Sequence, residues 1–138
     1  MRIAFGTDER MPLTESIVEA LRDLGHAVVV DVEDEPWPDV GHRVGEAVAG
    51  GHAERGVVCC WTGTGVSIAA NKVAGIRAAL CTDAETARGA RRWNDANVLV
   101  LSNRLVSPPV ASEMLDVWFA TGPDASEADA IAALESRP

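Results

Sequence analysis

No stretch of this 138-residue chain approaches the roughly 18 consecutive apolar residues of a membrane-spanning helix. Its N-terminus runs straight into the strand-like Arg2–Gly6, without a basic segment, an apolar core or a small-residue cleavage site. These absences predict a soluble, cytoplasmic protein with no membrane partner. Cysteine is scarce: three residues, an odd number with two adjacent, offer no disulfide framework. The three histidines, His26, His42 and His52, each follow a glycine and show no metal-ligand spacing, so they read as surface or packing residues and neither a metal nor another cofactor is expected. Positive charge is outnumbered, with 12 Lys and Arg against 21 Asp and Glu for a net charge of −9. That balance excludes nucleic acid as a partner. It does not exclude a small anion, because a helix N-terminus and one or two arginines outweigh a distant surface charge screened within about 8–10 Å. With no repeat, linker or low-complexity segment, residues 1–138 form a single domain.

What is present alternates. Apolar strand-like runs at Arg2–Gly6, Ala27–Val32, Gly56–Cys60, Arg77–Cys81 and Asn97–Leu101 are separated by helical patterns. Those patterns cover Leu13–Leu24, stopped by Gly25, then Val40–Ala49, Gly65–Val73, Asp83–Trp93 with Asp83 as N-cap, and Pro108–Phe119. The acidic, proline-bearing Glu33–Asp39 reads as a loop, although its Trp37 is large for a merely solvated position. The expected fold is α/β: a doubly wound, Rossmann-like, five-stranded parallel sheet with helices on both faces. After Thr121 comes an Ala-rich amphipathic helix capped by Asp124 or Ser126, which we expect to pack on a partner subunit.

The most informative run is Val57–Ala79, VVCCWTGTGVSIAANKVAGIRAA: a buried strand, a glycine-bearing loop and a helix opening. Open α/β sheets bind ligands at this kind of junction. The free N–H groups of the turn and of the first helical residues can hold an anion or a developing oxyanion. The loop is neither GxGxxG nor a Walker sequence, so it does not by itself name a nucleotide. Cysteine is usually buried as a small hydrophobe, and Cys59 and Cys81 read that way. Cys60, the last residue before the turn, points to the opposite face from Cys59 and has Thr62 beside it. A thiol next to a hydroxyl and backbone donors suits proton transfer beside a carbonyl. Asp8, after the first strand, lies at the same edge, as a turn residue or as a ligand.

The segments CCWTGTGVSIAANKVAGIRAALC and WNDANVLVLSNRLV, with IAFGTD at Ile3–Asp8, closely resemble the ribose 5-phosphate isomerase B / galactose 6-phosphate isomerase family. The resemblance extends to about Phe119. It implies aldose–ketose isomerisation through an enediol without a metal, in a homodimer or dimer of dimers whose active sites lie at the subunit interface. It implies that Cys60 carries the proton between the two carbons and that Thr62, Gly63 and Gly65 stabilise the enediolate, with Thr64 among the substrate-binding residues. By the same carry-over Asp8 contacts substrate hydroxyls, Asn94 lies near the substrate and Arg104 near a phosphate.

The chain also departs from the family. After the first strand Gly6-Thr7-Asp8-Glu9-Arg10-Met11 has Glu9 in place of the phosphate-binding His. Trp93 stands where the family has the His credited with opening the sugar ring, and Trp61 replaces a loop glycine. The C-terminal arginine motif is missing, leaving Arg137. A carboxylate near a dianion reverses the local electrostatics, worth roughly 4 kcal/mol per charge pair at about 4 Å and an effective dielectric near 20. Ribose 5-phosphate is therefore not the expected best substrate. Three readings follow: an isomerase with a pocket rebuilt from Glu9, Arg10, Trp61 and Trp93 for another sugar or sugar-derived substrate, phosphorylated or not; one subunit of a hetero-oligomeric isomerase; or a non-catalytic sugar-binding protein on the same fold. Retention of Cys60, Thr62 and Asp8 together argues against the third, and loss of the ring-opening His argues for it.

Overall fold

In a computed structural model that describes residues 1–137, strands and helices alternate as the hydrophobic pattern requires: β1 (Arg2–Thr7), α1 (Pro12–Asp23), β2 (Ala27–Glu33), α2 (Trp37–Ala49), β3 (Arg55–Cys60), α3 (Thr64–Asn71), β4 (Ala78–Leu80), α4 (Ala84–Asn94), β5 (Val98–Ser102) and α5 (Pro108–Ala120). A 3-10 turn at Ala125–Glu127 then leads into α6 (Ala128–Glu135). All strand pairs are parallel, in the order β2-β1-β3-β5-β4. Strand order reverses between β1 and β3, where open sheets of this kind leave a crevice.

Alternation along the strands builds two cores. Ile3, Phe5, Val57, Cys59, Leu99 and Leu101 pack under α1, α4 and α5, with Met114, Leu115 and Trp118 fully buried. Ala4, Val58, Cys60, Val98 and Val100 pack on the other face under α2 and α3, against Val40, Val44, Val66 and Ala70. Helices α2 and α3 lie very close because Gly41 faces Ala69: a Cβ at Gly41 would sit 2.6 Å from the Ala69 Cβ and 2.7 Å from the Val66 carbonyl oxygen.

Several boundaries differ from the sequence pattern. Helix α2 begins at Trp37, taking in the end of the expected Glu33–Asp39 loop, because a proline in the first helical turn forfeits an N–H that has no intrahelical partner anyway. Strand β4 shrinks to Ala78–Leu80 because the Arg77 N–H is taken by the Asn97 side chain at 2.8 Å instead of by the ladder. The Asp83 cap forms, its carboxylate accepting from the Thr86 N–H at 2.7 Å. Asp124 does not act as a side-chain cap, since its carboxylate accepts from Arg92 at 2.9 Å. Helix α6 buries no residue and is tied to its own chain by the Arg77–Glu135 ion pair. Among the described residues no helix is long and apolar enough to cross a membrane.

The α2–α3 contact gives a stability prediction. Gly41→Ala should cost about 1–3 kcal/mol of overpacking, read as a lower denaturant midpoint at unchanged slope, whereas Gly122→Ala, which meets open space, should be near neutral.

Candidate active site

Because the strands are parallel, their C-terminal ends share one edge. Thr7 of β1 is in register with Cys59, and Cys60 with Ser102 of β5, so the loops after β1, β3 and β5 meet side by side. The β3 and β5 loops are tied by backbone bonds from the Asn103 N–H to the Cys60 carbonyl (2.9 Å) and from the Arg104 N–H to the Trp61 carbonyl (3.0 Å). The Ser102 hydroxyl also donates to the Trp61 carbonyl, at 2.9 Å. Arg104 is thus held beside the Cys60 loop with its side chain exposed.

Beyond Cys60 the chain turns through Gly63, which has φ of 78° and is the N-cap of α3. Only glycine fits: the conformation is left-handed, and a Cβ would lie 2.6 Å from Leu80. The turn aims the first-turn N–H groups of α3, from Thr64 and Gly65 onward, outward from the sheet edge. The Thr62 and Thr64 hydroxyls share a hydrogen bond of 2.7 Å, and the Trp37 ring lies against Gly65. Trp61 is 57% exposed at the mouth.

The two adjacent thiols occupy different environments. Complete burial, with smaller contributions from the Cys60 and Asp8 charges, pushes the Cys59 thiol far above its ordinary range, and burial pushes Cys81 up to about 12. Neither supplies thiolate near neutral pH. Cys60 faces the opposite core, retains 5% exposure and ends the strand at the loop. Asp8 carries a buried Oδ1 without a hydrogen-bond partner. Burial raises its carboxyl above the ordinary 3.8 and the Glu9 charge adds to the rise, while backbone N–H bonds oppose it.

Not every expected site residue gathers here. Arg10 is directed to the β2 edge, where it pairs with Glu33 at 2.5 Å, while its N–H donates to Asp34. Glu9 is exposed, its carbonyl accepting from the Thr7 hydroxyl at 2.8 Å. Trp93 and Asn94 end α4, four or five residues before Val98, which is in register with Gly56 at the start of β3. They therefore lie at the opposite edge of the sheet, roughly 15 Å of strand from Cys60 in the same chain. The Trp93 ring, 53% exposed, lies over Gly89 with the Arg92 guanidinium 5.9 Å from its centroid. Asn94 lines a cleft of about 590 Å³ with Lys72, Arg77, Glu135 and Arg137. Asn97 is structural: its side chain donates to the Gly75 carbonyl and accepts from Arg77. Asn71 likewise clamps Ala78, through bonds of 3.0 and 2.8 Å.

The histidines stay away from both clusters. His26 sits on the N-terminal amine and Phe119, His42 pairs with Glu46, and the His52 carbonyl accepts from Arg2. Among the described residues no group of three His, Cys, Asp or Glu side chains is placed to hold a metal ion. Trp37, marked in the sequence by its size but given no role there, lies against Gly65 at the Cys60 edge, and Asn103, which sequence reasoning missed, carried a signal only in its place between the fifth strand and Arg104.

A thiol, a hydroxyl, a carboxylate with one unpartnered oxygen and helix amides at the switch point of an open parallel sheet define an α/β enzyme acting on a small polar molecule. Comparison with known proteins gives the family: residues 3–133 match the Ribose/Galactose Isomerase model, and the chain belongs to that family of sugar-phosphate isomerases. It is 37% identical over 145 aligned positions to ribose-5-phosphate isomerase B of Escherichia coli K12, covering 99% of this chain and 97% of that protein. It is 36% identical to D-erythrulose-4-phosphate isomerase of Pectobacterium atrosepticum, covering 86% and 82% of the two chains. The solved structure of Clostridium thermocellum ribose-5-phosphate isomerase B superposes with a TM-score of 0.89 at 36% identity, over 98% of this chain and 95% of that one. The chain is thus an enzyme of the aldose–ketose isomerase class.

Asp8 generates a pH prediction. Its folded-state value is raised, so its contribution to stability is intact below 3.8 and is lost as pH rises through the folded value. Asp8→Asn, which cannot ionise, should therefore unfold at higher denaturant than wild type at pH 7. That gain should vanish by about pH 3 in paired denaturation curves.

Proposed function

We propose that this protein interconverts an aldose and a ketose by proton transfer at Cys60, with each active site completed by a second copy of the chain. The observation that carries the chemistry is Cys60 at the end of β3, directly before the N-terminus of α3. The Cys60 thiolate removes the proton from C2 of the aldose. The electrons move into the C1 carbonyl, whose oxygen takes the negative charge beside the Thr62 hydroxyl and the first-turn N–H groups of α3. After a proton passes from the C2 hydroxyl to O1, the thiol returns its own proton to C1 and leaves the ketone at C2. Asp8 accepts from substrate hydroxyls. No step calls on a metal.

The second copy is supported by the split of the expected site between opposite edges of the sheet and by the exposed apolar side chains near Cys60. Ile68 is 60% and Leu105 62% exposed there. A two-fold dimer that brings the α4 end of one subunit to the Cys60 edge of its partner would place Trp93 and Asn94 over the cradle in both sites. The expected cytoplasmic location belongs to this reading too.

The substrate we infer is one other than ribose 5-phosphate. Arg10 is already paired with Glu33, Glu9 adds a negative charge, and Arg104 is left as the cation beside the Cys60 loop. Each lost contact to a charged group is worth about 1.5–3 kcal/mol, so a terminal phosphate is recognised roughly 10²-fold less well than by a site with several arginines. An indole at Trp93 also offers no base to open a ring, which favours a substrate already in open-chain form.

Cys60→Ser should lower kcat by at least about 10²-fold while leaving sugar binding nearly intact, and product formed by wild type in heavy water should carry solvent deuterium next to the carbonyl. Activity of Cys60→Ser equal to wild type would remove the assignment. Inactive Cys60→Ser and Asn94→Ala chains, refolded together in equal amounts, should recover roughly a quarter of wild-type activity overall, because about half of the dimers are mixed and one of the two sites in each mixed dimer is intact.

Trp93→His tests the substrate form. It should raise kcat/KM for D-ribose 5-phosphate, which is largely cyclic, by about 10-fold or more. It should leave D-erythrulose 4-phosphate nearly unchanged, because its four-carbon ketose chain is too short to close a ring.

A further inference from the structure

Buried polar groups in folded proteins are almost always hydrogen-bonded, so each orphan calls for a reason. Three buried side-chain atoms lack a partner among the described residues: Asp8 Oδ1, Asn103 Oδ1 and Trp118 Nε1. Trp118 lies deep in the α5 core, under the Arg91 guanidinium. The other two directly follow the strands on either side of β3, at the same sheet edge as Cys60. We propose that Asn103 is a substrate-binding residue, whose carboxamide takes a hydroxyl of the sugar chain across the Cys60 edge from Asp8.

Asn103 is 7% exposed, and its backbone N–H is bonded to the Cys60 carbonyl at 2.9 Å, which fixes it next to the thiol-bearing residue. Its side chain makes no hydrogen bond among the described residues, so the usual reason for asparagine after a strand, bonding to its own turn, does not apply. The turn is closed instead by the Leu105 and Val106 N–H groups on the Ser102 carbonyl, at 3.2 and 3.1 Å. A carboxamide rotates about χ2 over a broad, shallow range and offers an acceptor and two donors, which matches a hydroxyl that both donates and accepts. An uncharged amide discriminates by hydroxyl pattern rather than by charge. Arg104, next in the chain and exposed, supplies the cation. Asn103 thus becomes a specificity residue of the site described above, and the inference rests on the isomerase reading for its substrate.

Asn103→Ala tests it, with Asn103→Ser as a second, smaller polar variant. Loss of an amide–hydroxyl contact should raise KM, and the calorimetric Kd, for D-ribose 5-phosphate and D-erythrulose 4-phosphate by roughly 10- to 100-fold, with kcat within about threefold of wild type. Removing an unpaired buried acceptor should leave Tm unchanged or raise it, whereas a structural asparagine would lower Tm without touching KM. Unchanged KM and Kd in both variants overturn the proposal. If Cys60→Ser abolishes turnover while Asn103→Ala binds normally, the isomerase stands and Asn103 is removed. If Asn103→Ala weakens calorimetric binding in a protein whose turnover does not depend on Cys60, Asn103 stands and the Cys60 proton-transfer reading falls.

Discussion

Parallel pairing of β1, β3 and β5 is the constraint on which the rest of this molecule depends. It sends three strand ends to one edge in fixed register, so residues as far apart in sequence as Thr7 and Cys59, or Cys60 and Ser102, become neighbours through backbone hydrogen bonds alone. It equally sends the C-terminus of each helix that leads into a further strand to the other edge. Asp8, Cys60, Asn103 and Arg104 are gathered by the first consequence, and Trp93 and Asn94 are separated from them by the second. Proximity to the thiol is decided by strand direction, and side-chain chemistry acts within what that direction permits.

On β3 a single step of alternation separates two chemically identical groups. Cys59 falls into the α1/α4/α5 core, where burial disfavours its thiolate, and Cys60 falls under α2 and α3 at the last position before the turn. The close α2–α3 approach at Gly41 keeps α3 pressed to the sheet, and Gly63 lets its N-terminus start over Cys60. The position proposed for the proton-transferring thiol is thus made by packing on one face and by backbone geometry at the edge.

The alternation of strands and helices was legible because each element carries its own period, and the Cys60-to-Gly65 junction because glycines and a strand end mark it. What escaped was what depends on competing partners. Arg10 follows Asp8 in sequence, yet its guanidinium turns to Glu33, because an exposed arginine pairs with the nearest carboxylate and not with a nearby strand end. Asp124 had the composition of a cap and was captured by Arg92. Arg77 had the composition of a strand residue, and its N–H donates to the Asn97 side chain instead of to the ladder. Asn103 was invisible for the reverse reason: its significance lies in having no partner, a property no local pattern records.

The acidic balance of the chain takes on a meaning beyond solubility once these pairs are known. Arg10, Arg43, Arg77, Arg91 and Arg92 are all engaged by carboxylates of the same chain. Each such pair is weak where it is exposed, because water and salt screen it. It nevertheless sets a threshold for any phosphate, which must compete with an intramolecular carboxylate already at contact distance. Arg104 has no such partner among the described residues and stands beside the Cys60 loop, so the attraction for an anion at this edge is concentrated in one guanidinium. A site with one free cation and two orphaned oxygens around its thiol has more hydrogen-bonding capacity for a carbon chain rich in hydroxyls than for a dianion. On the proposed reading its selectivity follows the pattern of hydroxyls that Asp8 and Asn103 can satisfy.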